Sequence, residues 1–266
     1  MNEFENNLSK EVAKVTAESA KNIAEDIIRP SSISIGNNLG LMVDGVMGWL
    51  GCWGEKQKLL QKKYIDEFKQ ELNNKISNVN KENLKEPPMN IVGPAIESSK
   101  YFYEEEYYRD MYSSLLAAAC DKSKIDNVHP SYTEIIKQIS PLDAKVLNMF
   151  KYHNTYPLAI LQMIDRNNKI TPCTQYLFFF KELDKEFDLL EHIKLTASLD
   201  NLIRLGIIIK NNNVVELNHN YDEFNEHFLY KAFSATKDSS EDEIKTLPYR
   251  IELTEFGRRF FSICIS

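Results

Sequence analysis

Apolar positions recur in steps of three and four over several stretches of the chain, and each such stretch predicts a helix with one buried side. Val12, Val15, Ala20, Ile23, Ile27 and Ile28 mark the first, over residues 3 to 30, which Pro30 and the Ser31-Ser32 pair end. Between residues 55 and 80, Leu59, Leu60, Tyr64, Phe68, Leu72 and Ile76 share one side of a helix whose other side is rich in lysine. The polar run NKENLKEPP closes that helix, and Pro87-Pro88 sets a boundary. From Pro94 the pattern predicts one long helix through AIESSKYFYEEEYYRDMYSSLLAAACD, its small-residue end from Leu115 to Cys120 suited to close packing.

Two helix starts follow. Ser131 and Glu134 have the spacing of a capping box, in which each side chain satisfies the other's backbone amide. Ser140-Pro141-Leu142-Asp143 repeats the arrangement with proline at the first helical position, and that helix turns Leu142, Val146, Met149 and Phe150 inward. An apolar helical stretch then ends at SLDNLIRLG, where Gly206 is a natural stop. IIIK and VVEL on either side of an NNN turn predict a hairpin, YRIEL a short strand, and Thr254 the cap of a final helix, EFGRRFFSIC. The expected fold class is mainly α: a helical bundle with a C-terminal winged-helix-like α+β part.

Residues 36 to 54, GNNLGLMVDGVMGWLGCWG, hold six of the nine glycines and both tryptophans. At about 100° per residue, Gly36, Gly40, Asp44, Met47, Gly48, Gly51 and Gly54 fall on one side of a helix. Each glycine costs a helix about 0.5–1 kcal/mol relative to alanine, so this segment is helical only with another body against it. Gly36, Gly40, Gly48 and Gly51 are the expected helix-packing positions. The expected membrane or partner contacts are Leu39, Met42, Val46, Trp49, Leu50 and Trp53. Nineteen helical residues span about 28 Å, near the hydrocarbon thickness of a bilayer. Lys56, Lys58, Lys62 and Lys63 form a basic flank suited to an anionic leaflet. Against a span, Asp44 costs roughly 2.5–3.5 kcal/mol at the bilayer centre, and Asn37 and Asn38 are polar as well. Three readings stay open: a buried or partner-covered helical hairpin, reversible membrane association, and a constitutive span.

Composition narrows the classes. Hydrophobic residues at 43% and charged residues at 27% fit an ordinary globular chain of 266 residues. A formal net charge of −7 argues against non-specific nucleic-acid binding, which leans on positive fields. Cys52, Cys120, Cys173 and Cys264 lie far apart with no C-x-x-C pair, and MNEFENNLSKEV is not a cationic leader. Free thiols in a reducing cytoplasm are expected, with peripheral attachment at the inner membrane face if the glycine block engages lipid.

PPMNIVGPAIESSKYFYEEEYYRDMYSSLLAAACD, followed by HPSYTEIIKQISPLDAKVL, resembles the core of the abortive-infection alpha (Abi-alpha) family of bacterial proteins. Gly93-Pro94-Ala95, the acidic-aromatic helix ending in Ser114-Leu115-Leu116-Ala117, and the run from His129 to Asp143 carry the resemblance. It covers residues 85 to 150, the flanks agreeing in overall pattern. The resemblance implies a mostly helical protein of bacteria or their mobile elements, linked to phage defence, and brings no catalytic motif to transfer. The expected domains are an N-terminal helical region over 1–86, an Abi-alpha-like helical core over 87–140, and a winged-helix-like domain over 141–266.

Other candidate chemistry is weaker. On the stretch 181 to 204, Lys181, Lys185, Lys194 and Arg204 are outnumbered by Glu182, Asp184, Glu186, Asp188, Glu191 and Asp200, and KDSSEDEIK is acidic too. A recognition helix needs a positive footprint, so a winged-helix nucleic-acid-binding regulator is the alternative function, not the leading one. His129 before Pro130 reads as a turn residue. His219 and His227 with Asp222, Glu223 and Glu226 lack the helical spacing of a metal pair and read as a solvated acidic face. Tyr103-Glu104-Glu105-Glu106-Tyr107-Tyr108 reads as a charged helix side with buried tyrosine rings. With no G-x-S-x-G and no phosphate loop, the reading is a non-enzymatic phage-defence protein without cofactor or metal. It acts through protein–protein or membrane association of 36–54. Its expected partner is another protein or a second copy, with a membrane surface next; small-molecule ligands leave no mark in the sequence.

Overall fold

The computed structural model describes residues 32–47, 55–102, 104–165, 167, 169–178, 189–211, 221–235 and 243–265. The expected helix over residues 3 to 30 lies outside them. The chain divides into two compact units, one ending at Ile136 and the other starting at Lys137.

The first unit is helical: α1 (Ser32–Met47), α2 (Glu55–Ser77), α3 (Met89–Ser99), α4 (Glu106–Ala119) and α5 (Tyr132–Gln138). α2 is the amphipathic helix that its pattern predicts. Phe68, Leu72 and Ile76, four residues apart, are buried at 0–1% exposure, while Lys62 and Lys63 are exposed. It packs on α4 and α1, and α3 packs on α4. The segments that leave α2 and α4 are stitched together: the Lys85 amide donates to the Cys120 carbonyl at 3.0 Å and the Lys122 amide to the Asn83 carbonyl at 2.8 Å. The small-residue end of α4 is fully inside, and burial pushes the Cys120 thiol up to about 12.

The long helix expected from Pro94 is two helices. Pro94 sits inside α3, which begins at Met89, and the helical path stops at Ser99. There the Ser99 hydroxyl donates to the Ile96 carbonyl at 2.9 Å, an alternative to the continuing ladder. The chain turns, and the new helix starts where Glu104, Glu105 and Glu106 are gathered, because negative charge is favoured at a helix N-terminus. Phe102, in the turn, stacks on Tyr108 with ring centroids 4.8 Å apart. Ser131, read as half of a capping box, has its hydroxyl 2.7 Å from His129 Nδ1, and its amide donates to the same nitrogen at 3.2 Å.

The second unit is α+β. Its elements are α6 (Pro141–Met149), β1 (Thr155–Ile164), β2 (Ile170–Phe178), α7 (Leu189–Arg204), β3 (Ile208–Asn211), α8 (Phe228–Ser234), β4 (Glu243–Leu253) and α9 (Glu255–Cys264). The strands form one antiparallel sheet in the order β2-β1-β4-β3. It is larger than a hairpin with a returning strand. β1 and β2 make a hairpin that the hydrophobic pattern did not reveal, its turn closed by Asp165, whose carboxylate accepts from the amides of Asn167 and Lys169, both at 2.8 Å. β3 is the IIIK run, but the strand beside it is β4, with Ile208 opposite Leu253. The VVEL half of the expected hairpin lies outside the described residues.

Helix ends in this unit follow their sequence signals. Ser140 and Asp143 form the capping box of α6, and Gly206, at φ 72°, ends α7. The Ile207 amide reaches back to the Leu202 carbonyl at 3.0 Å and the Gly206 amide to Ile203 at 2.9 Å, the paired bonds of a Schellman stop. Asp143 also joins α6 to α7. Buried to 1% exposure, it accepts from the Ser198 hydroxyl and, at 2.8 Å, from the Asn201 amide. Replacing it with alanine removes a cap and strands the buried Ser198 hydroxyl, while the partly buried side-chain amide of Asn201 keeps the Gln138 carbonyl. The expected cost is about 2 kcal/mol in denaturant unfolding, while Asp143→Asn, which keeps an acceptor, loses less.

Candidate functional site

α1 holds the described half of the glycine-rich segment. Its inward line is Ile35, Leu39 and Val43, at 3%, 2% and 0% exposure, each four residues from the next. α1 lies on α2 and α3. The two glycines expected to pack helices have different surroundings. A Cβ at Gly36 would meet the side-chain amide oxygen of Asn73 on α2, the end of an exposed side chain that can swing aside. A Cβ at Gly40 would meet nothing within 4 Å among the described residues. Beside Gly40, Leu41 is 69% exposed, Asn37 and Asn38 are exposed, and Met42 is half-buried. Asp44, also exposed, pairs with Lys69 of α2.

The remaining expected contacts fall elsewhere. Val46 belongs to the last turn of α1, and Lys56 and Lys58 to the first turns of α2. Gly48, Trp49, Leu50, Gly51 and Trp53 lie outside the described residues. Lys62 and Lys63 are exposed, as a basic flank requires, with Lys63 3.6 Å from Glu67. Among the described residues no helix is long and apolar enough to cross a membrane.

A second charged feature, which the sequence reading passed over, ties α2 to α4. Arg109 is only 7% exposed. It sits 3.2 Å from Glu67, 3.4 Å from Glu71 and 3.2 Å from the Glu104 carbonyl, with its guanidinium over the Tyr64 ring. Burial raises the Glu71 carboxyl above the usual range, and Arg109 opposes that rise. One turn on, Lys75 donates to the Asp110 carbonyl at 2.9 Å and the Ser114 hydroxyl at 2.6 Å. The signal was present in the sequence: Glu67 and Glu71 are spaced i, i+4, and Arg109 is a lone cation in an aromatic helix. These groups serve helix packing, and the second carboxylate oxygen of Glu71 is buried with no hydrogen-bond partner among the described residues.

The other candidates do not converge. Glu104, Glu105 and Glu106 are exposed at a helix start, and Tyr108 is buried. His227 is buried at 9% exposure and so is not part of a solvated acidic face, although Asp222 and Glu226 are exposed; His219 lies outside the described residues. Among the described residues no group of three histidine, cysteine or acidic side chains is placed to hold a metal ion. Lys194 is exposed, and Arg204 is engaged with Gln138 and Asn201 at 3.0 and 2.7 Å.

Comparison with known proteins gives one family. The family described as abortive infection alpha matches residues 60–264. That match begins inside α2, so α1 precedes it. No curated protein matches the chain. A solved structure of an uncharacterized protein from the hydrocarbon-degrading marine bacterium Alcanivorax borkumensis SK2 is similar at 10% identity, over 55% of this chain and 96% of that one, with a TM-score of 0.34.

Proposed function

Because the chain belongs to the abortive infection alpha family, a family of phage defence, we propose that it acts by gripping a protein partner with the outer side of α1. The observation that carries this reading is Gly40. A glycine inside a helix costs about 0.5–1 kcal/mol, and among the described residues no neighbour needs the space. With Leu41 standing 69% exposed beside it, the cost makes sense if a second helix crosses at this point. The tryptophans at 49 and 53 follow in the same sequence segment. No reaction is invoked: protection follows from association.

Three substitutions test the reading, with opposite signs for stability and protection. Gly40→Ala is expected to raise stability by about 0.5–1 kcal/mol in chemical denaturation, since the new methyl has room and helix propensity improves. Leu41→Asp is expected to leave stability nearly unchanged and Gly40→Leu to raise it slightly less than alanine does, and both to abolish protection of cells in a phage plating assay. Full protection by both variants removes the outer side of α1 from the function. Flotation with anionic vesicles is the counter-test: binding that disappears with Trp49→Ser and Trp53→Ser replaces the protein partner with a lipid surface.

A further inference from the structure

We draw no further inference here: the strongest candidate, the outer edge of the sheet along β2, which pairs only with β1 among the described residues, carries nothing because no feature of the structure shows what covers it.

Discussion

Gly257→Ala is expected to be among the most destabilising single substitutions in this protein, costing about 3 kcal/mol in denaturant unfolding. Gly257 lies in the first turn of α9, where helix propensity alone favours alanine by about 1 kcal/mol. The surroundings reverse the sign. An added Cβ would run into the Ile207 carbonyl oxygen and stand 2.9 Å from its carbon and 3.1 Å from its Cα. Those are backbone atoms with no rotamer to change. Nor is Ile207 free to retreat, because its carbonyl accepts from the Thr254 amide at 2.9 Å and its amide closes the Schellman stop of α7. The Thr254 hydroxyl donates to the neighbouring Gly206 carbonyl at 2.6 Å and accepts from the Gly257 amide at 2.8 Å. The end of one helix and the beginning of another are thus bolted together at Ile207. A melting midpoint for Gly257→Ala equal to that of the parent would show that this junction yields cheaply.

Arg109→Ala is the second large effect, expected at about 2–3 kcal/mol, below the full cost of breaking a buried pair because Glu67 and Glu71 stay about one-third exposed. The loss carries a pH signature. Burial already holds Glu71 above the usual carboxylate range, so the folded protein binds that proton more tightly than the unfolded chain does. Stability from this group is complete below the unfolded pKa of about 4.3 and is lost as pH rises through the higher folded value. Arg109 lowers that folded value. Its removal raises it further, widening the window over which ionisation of Glu71 opposes folding. The deficit of Arg109→Ala should therefore be greatest at neutral pH and shrink on acidification. Adding Glu71→Gln should recover part of it at neutral pH and flatten the trend. A deficit independent of both pH and Glu71→Gln would assign the loss to packing against Tyr64.

What could be read from the sequence was local. The caps at Ser140 and Thr254, the stop at Gly206 and the buried line of α2 each depend on residues within one or two turns, and each stands where its residues put it. The acidic-aromatic run failed as one helix because periodicity continued straight through a turn, and only the hydrogen bond from Ser99 and the gathered glutamates break it. The β1–β2 hairpin was hidden by proline. Pro157 and Pro172 interrupt its strands, Pro248 interrupts the central β4, and proline in a run argues against a sheet. The seat of α1 was half legible. Glycine spacing pointed to close approach, but which glycine meets a neighbour depends on Asn73, more than thirty residues on. The expected domain edges at residues 86 and 140 followed proline and helix signals, whereas compactness follows the α2–α4 contacts that cross the first of them.

Cys120 and Cys264 are both fully buried cysteines, one in each compact unit. The thiolate attacks an alkylating reagent, and a sulfur held at 0% exposure reaches it only when its surroundings come apart. The chain therefore carries two native gauges of opening. Alkylation at Cys120 clocks the breathing of the helical unit, alkylation at Cys264 clocks that of the sheet-bearing unit, and peptide mapping separates the two rates without any engineered label.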